Sequence, residues 1–131
     1  MAAIRLLLDT HALLWWLFDD PKLSLAARSA IADPQNMIVV SAASAWEITT
    51  KHRLGRLPEA GDVPVHLPRY LNSARFVVLS ISLEHAMAAG ALPGPHKDPF
   101  DRMLVAQARI EDLAVATTDP VFRDYGVAVI W

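Results

Sequence analysis

Asp98-Pro99-Phe100-Asp101 sets two carboxylates three residues apart at the head of an amphipathic run. Asp before Pro reads as a helix N-cap followed by the first helical position. Asp101 then falls in the first turn, where free backbone N–H groups and the helix dipole favour negative charge. Three more acids stand at comparable points: Asp9 ends the apolar run Ile4 to Leu8, Asp119 follows Leu113 to Ala116 and Thr117-Thr118, and Glu47 sits in the second turn of a helix expected after Met37 to Val40. Singly, each has an ordinary structural use. Asp98 caps its helix, Asp9 or Thr10 caps another, and Asp119 before Pro120 closes a turn. Glu47 pairs with Lys51 at i+4, which is worth about 1 kcal/mol or less, as is the dipole effect at Asp101.

Gathered at one end of a sheet, Asp9, Glu47, Asp101 and Asp119 do something different. Two carboxylates about 4 Å apart repel by about 4 kcal/mol at an effective dielectric near 20. A hard divalent cation with oxygen ligands offsets that repulsion, and a site with few protein carboxylates suits Mg²⁺ or Mn²⁺. Such a cation makes water a nucleophile and braces the charge of a phosphodiester being cut. The acids point to metal-assisted phosphoryl chemistry without naming the substrate.

The elements that must position them follow from the apolar patterning. Ile4 to Leu8, Met37 to Val40, Phe76 to Leu79, Leu113 to Ala116 and Val127 to Ile130 read as five short strands, apolar throughout, as in a sheet buried on both faces. Between them the sequence predicts helices over Ala12 to Phe18, Ser24 to Ala32, Ser41 or Ser44 to Leu54, Ser82 to Leu92 and Pro99 to about Glu111, with a helical turn around Val121 to Asp124. Gly55 is placed to close the third of these. Leu57 to Pro68, with three prolines and a glycine, reads as a loop leading to a brief helix ending near Ser73. Strands alternating with helices give an α/β fold, a parallel sheet of about five strands with helices on both faces. In such folds ligands bind beyond the carboxyl ends of the strands.

The 131 residues suit one domain, residues 1–131, and a composition of 53% hydrophobic and 20% charged residues excludes a disordered chain. A net charge of −2 gives no basic excess for coating a duplex. The absence of cysteine excludes disulfides and thiolate zinc sites. No secretory leader pattern opens the sequence and no apolar run approaches the roughly 20 residues of a membrane span, so a cytoplasmic location is expected.

Asp9-Thr10-His11-Ala12-Leu13-Leu14-Trp15, then Trp46-Glu47-Ile48 with Lys51 and Gly55, then Asp98-Pro99-Phe100-Asp101-Arg102 with Ala106-Gln107-Ala108, and finally Thr117-Thr118-Asp119, together resemble the PIN-domain family. Within it, the match is to the VapC-type toxin ribonucleases of bacterial toxin–antitoxin pairs. The resemblance runs from Asp9 to Val129. It implies an endoribonuclease dependent on Mg²⁺ or Mn²⁺, leaving 5′-phosphate and 3′-hydroxyl ends, usually dimeric and held inactive by a cognate antitoxin. By the same resemblance the family's four acids fall on Asp9, Glu47, Asp101 and Asp119, with Thr117 or Thr118 as a polar neighbour. The chain departs from the pattern at Asp98, an extra acid that rivals Asp101 as the third metal ligand; Asp101 is favoured.

Other residues carry weaker signals. His11 and His96 stand beside the acids and read as polar walls; a metal-free ribonuclease using them as acid and base would survive a chelator. Lys51, Arg53 and Arg56 form a basic patch that reads as a solvated face before it reads as a phosphate contact. Trp15, Trp16 and Trp46 read as core or interface packing rather than base-stacking platforms. Trp16, Leu17, Leu23 and Leu25 are candidates for a partner groove, or equally for core. Among other classes, a haloacid-dehalogenase-type phosphatase needs an acid where His11 stands, and a receiver-like phosphoacceptor would keep a phosphoryl group on Asp9. A catalytically silent RNA- or protein-binding module on the same fold is the non-enzymatic alternative.

Overall fold

The computed structural model describes residues 3–131. Five strands, β1 (Arg5–Leu8), β2 (Met37–Ser41), β3 (Val77–Leu79), β4 (Ala114–Ala116) and β5 (Val129–Ile130), form one wholly parallel sheet in the order β3-β2-β1-β4-β5. The helices are α1 (Thr10–Leu17), α2 (Leu25–Ala32), α3 (Ala42–Arg53), α4 (Val63–Ala74), α5 (Leu83–Ala91), α6 (Pro99–Glu111) and α7 (Val121–Asp124), with a 3-10 turn at Pro58–Ala60.

Side chains alternate along each strand, so an all-apolar strand must feed two cores. Leu6, Leu8, Ile38, Val40 and Ala116 share one with Leu13, Ile31 and Leu67 of α1, α2 and α4. Leu7, Val39 and Val115 share the other with Leu104, Val105 and Phe122 of α6 and α7. The expected arrangement of helices on both faces is the one the chain adopts. The cover thins at the β3 edge, where Val77 and Val78 remain 46% and 57% exposed.

The strand order fixes where a ligand belongs. From β1 the chain winds outward through β2 to β3, then crosses back through α5 and α6 to lay β4 on the other side of β1. The winding therefore reverses between β1 and β4, whose carboxyl ends flank the crevice used by open α/β sheets.

Local chemistry explains most helix ends. Ser24, Ser41 and Ser82 cap α2, α3 and α5 through their hydroxyls. Asp98 caps α6 with Pro99 at its first position, and Gly55, at φ +71, ends the last turn of α3. Of the two cap candidates at α1, Asp9 is the one used and Thr10 is the first helical residue. One expectation needs correction. The segment expected to be a loop up to Pro68 contains the 3-10 turn and the start of α4, which kinks at His66 (φ −114, ψ 18). Pro58 and Pro64 each stand in a first turn, and Pro68 follows the kink, so none removes a hydrogen bond the helix would make. Among the described residues no helix is long and apolar enough to cross a membrane.

Candidate acidic active site

Asp9 immediately follows β1, and its N–H still donates to the Ala116 carbonyl at 3.2 Å, so it stands where β1 and β4 end side by side. Its carboxylate accepts from the Ala12 N–H at 2.7 Å and from the Thr117 hydroxyl. Thr117 Oγ1 in turn accepts from the Asp119 N–H at 2.9 Å, while Asp119 Oδ1 accepts from the Val121 N–H at 3.0 Å. One buried threonine thus ties the acid after β1 to the acid after β4.

Glu47 reaches the same end of the sheet from the second turn of α3 and is buried there. Thr10 Oγ1 donates to its Oε1 at 2.6 Å, and the Lys51 ammonium, one turn on, pairs with its Oε2. Asp101 comes from the first turn of α6. Its Oδ2 lies 3.1 Å from His96 Nε2. Asp98 uses one oxygen to cap that helix, accepting from the N–H groups of Phe100 at 2.9 Å and Asp101 at 3.1 Å. The rings just before the two helix acids also meet: Trp46 stands edge-on to Phe100 with centroids 4.8 Å apart. Deeper down, Ser41 Oγ donates to the buried Gln107 at 2.5 Å, linking the start of α3 to α6.

All five acids line a single cavity of about 340 Å³, together with Thr10, His11, Lys51 and Thr118. Their crowding shows in their acidity. Burial pushes the Asp101 carboxyl up to about 6; the His96 hydrogen bond pulls it down, and the charges of Asp98, Asp119 and Glu47 push it up again. Burial also raises Asp9 above the usual carboxylate range, against hydrogen bonds from Thr117 and Ala12 and the charge of His11, with Glu47 adding to the rise. Among the described residues no three His, Asp or Glu side chains are drawn together tightly enough to enclose an ion as they stand. The donor set is nonetheless all oxygen and anionic, with Lys51 beside it, which suits a hard, partly hydrated divalent cation.

The sequence reading places Asp9, Glu47, Asp101 and Asp119 at one end of the sheet, with Asp98 as a cap and a rival to Asp101, and all five line the one cavity. It missed the groups that hold them. Thr10 was read as a cap rather than the partner of Glu47, and His96 as a wall rather than the partner of Asp101. Arg102 was not singled out: its guanidinium donates to the carbonyls of Ala89, Gly90, Leu92 and His96 and so fastens the segment before α6. Its place next to Asp101 was the one available signal. Trp46 is not core, being 56% exposed, and in the expected partner groove Leu23 is buried while Leu25 alone stands clear of the core.

A parallel sheet with acids at the switch point and on the flanking helices defines an α/β fold with an acidic site, and the PIN domain signature matches residues 6–128. The chain belongs to the PIN domain family. It is 31% identical over 120 residues to Ribonuclease VapC22 of Mycobacterium tuberculosis, an alignment covering 91% of this chain and 90% of that protein. It is 37% identical over 62 residues to Ribonuclease VapC16 of the same organism, covering 47% of this chain and 43% of that protein, so it spans less than half of that relative. In fold it is similar to VapBC2 from Rickettsia felis, solved bound to a DNA fragment from its promoter, with a TM-score of 0.70 at 15% identity over 96% of this chain and 97% of that one.

Proposed function

We propose that this chain is a metal-dependent endoribonuclease, the toxin of a toxin–antitoxin pair, acting on RNA in the cytoplasm. The observation that carries the reading is the convergence of Asp9, Glu47, Asp101 and Asp119, from four separate parts of the chain, on one cavity beyond the ends of β1 and β4. The names of the two ribonuclease relatives, and the likeness in fold to a solved toxin–antitoxin complex from Klebsiella pneumoniae, support it.

In this reading the four acids hold Mg²⁺ or Mn²⁺, directly or through water. When bound, the ion supplies a nucleophilic water at neutral pH and charge stabilisation at the phosphodiester. The protein's own groups do the remainder. Thr10 and Lys51 fix Glu47, Thr117 orients Asp9, the Val121 N–H holds Asp119 and His96 holds Asp101, so the carboxylates are partnered before any ion arrives. Lys51 is the cation already within the cavity and the natural contact for a phosphate oxygen.

The test is incubation of the purified chain with a mixed RNA pool in Mg²⁺, in Mn²⁺ and in EDTA, beside Asp9→Asn. Internal cuts that need the ion and the Asp9 carboxylate support the reading. Cleavage that persists in EDTA, or in Asp9→Asn, overturns it. Co-purification with the product of an adjacent small open reading frame, and loss of cutting in that complex, tests the toxin role.

A further inference from the structure

Beside the acidic cavity lies a second, larger one of about 680 Å³, and the two share Asp119 and Pro120 as a common wall. Its other walls come from the Pro93-Gly94-Pro95-His96 segment ahead of α6 and from Val121, Asp124 and Tyr125 at and just past α7. These two walls are latched. The Tyr125 hydroxyl donates to the Pro93 carbonyl at 2.5 Å. Gly94, at φ +96, permits that approach, since a Cβ there would stand 3.1 Å from the same hydroxyl.

The surface so built is mostly apolar: prolines, the Tyr125 ring, and the His96 imidazole, whose Nε2 is already engaged by Asp101. Its charged groups, Asp119 on the shared wall and the exposed Asp124, accept hydrogen bonds and donate none. A space with planar apolar walls beside a phosphodiester site fits an unstacked base, read on its edge by hydrogen bonds. Acceptor-only groups select a base edge rich in N–H. Guanine alone of the four RNA bases offers two adjacent donors, N1–H and N2–H, to a single carboxylate.

Resting on the ribonuclease reading above, we propose that this cavity lodges the nucleobase next to the phosphate to be cut, and that Asp124 makes that base guanine. The base lies against the latched Pro93–Pro95 segment and Tyr125, and the shared wall at Asp119 sets its phosphate over the acids.

Two measurements test this together. In the first, fluorescein-labelled uridine octamers with one central G, A, C or U are titrated by anisotropy in Ca²⁺ into the wild-type chain and into Asp124→Asn. The G octamer is expected to bind at least about fivefold more tightly than the others, and Asp124→Asn to erase that margin. In the second, cleavage ends are mapped on a random RNA pool in Mn²⁺, where guanine should be enriched at one position flanking the cut for wild type and not for Asp124→Asn. Equal binding of the four octamers, or a guanine preference that survives Asp124→Asn, overturns the proposal. Asp9-dependent cutting without base preference would remove the base site and leave the nuclease reading standing. A G preference lost in Asp124→Asn, in a chain that cuts no RNA, would do the reverse.

Discussion

Thr10 Oγ1 donates to Glu47 Oε1 at 2.6 Å across 37 residues of sequence, both side chains buried. Thr10 follows the acid that caps α1, so this contact docks the start of α1 on α3 and sets the Glu47 carboxylate at the same time. With its one O–H given to Glu47, Thr10 accepts from the Ser44 hydroxyl at 3.1 Å. Thr10→Val keeps the shape and removes the donor. It is expected to cost about 2 kcal/mol in urea unfolding, the range for a hydrogen bond to a charged group, and to lower the RNA cleavage rate. Thr10→Ser should restore both in large part.

Asp101 gives the metal-free protein a definite pH dependence. Its carboxyl ionises near 3.8 in the unfolded chain and at about 6 when folded, so the folded state binds its proton more tightly. Below about pH 4 both states carry the proton and the site costs nothing. As pH rises towards 6 the unfolded chain has already ionised, and the stability that Asp101 contributed at low pH is lost. The melting temperature of Asp101→Asn minus that of wild type, in EDTA, should be near zero at about pH 4, grow through about pH 6 and then level off. Mn²⁺ added above that range should raise the wild type more than the variant. A difference that shrinks with rising pH would contradict the crowded-acid description.

Much of this was legible in the sequence because the sheet is buried on both faces and its strands announce that by being apolar without alternation. Ser24, Ser41, Ser82 and Asp98 were equally legible, since a cap is a local device. The Asp9–Thr10 ambiguity was not, because both types cap well and the deciding partner, Glu47, is distant in sequence. Pro58, Pro64 and Pro68 mislead for a related reason: a proline that would break a helix interior is neutral in a first turn, and sequence alone does not say which turn it occupies. At the site the acids could be found by type and position. The groups that hold them depend on neighbours the sequence does not display: Thr117 reaches Asp9 once β1 and β4 pair, Arg102 reaches the carbonyls of Ala89, Gly90 and Leu92 once α5 packs on α6, and His96 meets Asp101 across the turn before α6 that Arg102 fastens.

Asp98 and Asp101 are separable by experiment because one already has a structural duty. Asp98 Oδ1 accepts two backbone N–H groups at the start of α6, a role asparagine fills as well as aspartate. Asp98→Asn is therefore expected to keep the melting temperature and most of the cleavage rate, whereas Asp98→Ala should lose about 1 kcal/mol of stability. Asp101→Asn should lose cleavage outright. If Asp98→Asn proves as inactive as Asp101→Asn at unchanged stability, the third ligand is Asp98.

Arg102 holds no acid, yet the site depends on it. Its guanidinium donates to the carbonyls of Ala89 at 3.1 Å, Gly90 at 3.3 Å and Leu92 at 2.6 Å, which end α5, and to that of His96 at 2.9 Å. Those carbonyls have no further helical turn to bond, so a fixed planar donor is what closes the end of α5. The fourth bond carries the effect to the site, since the backbone it holds bears the imidazole that meets Asp101. Arg102→Lys retains the charge but not the fork, and should lose about 2 kcal/mol of stability by urea unfolding. Its cleavage rate should fall more steeply than that of Arg28→Lys, a substitution in an exposed ion pair with Asp19 remote from the acids in sequence. Proton NMR of the His96 ring gives the finer check. In Arg102→Lys its signals should broaden and move towards those of Asp101→Asn, because freeing the carbonyl of His96 frees the ring that faces the acid.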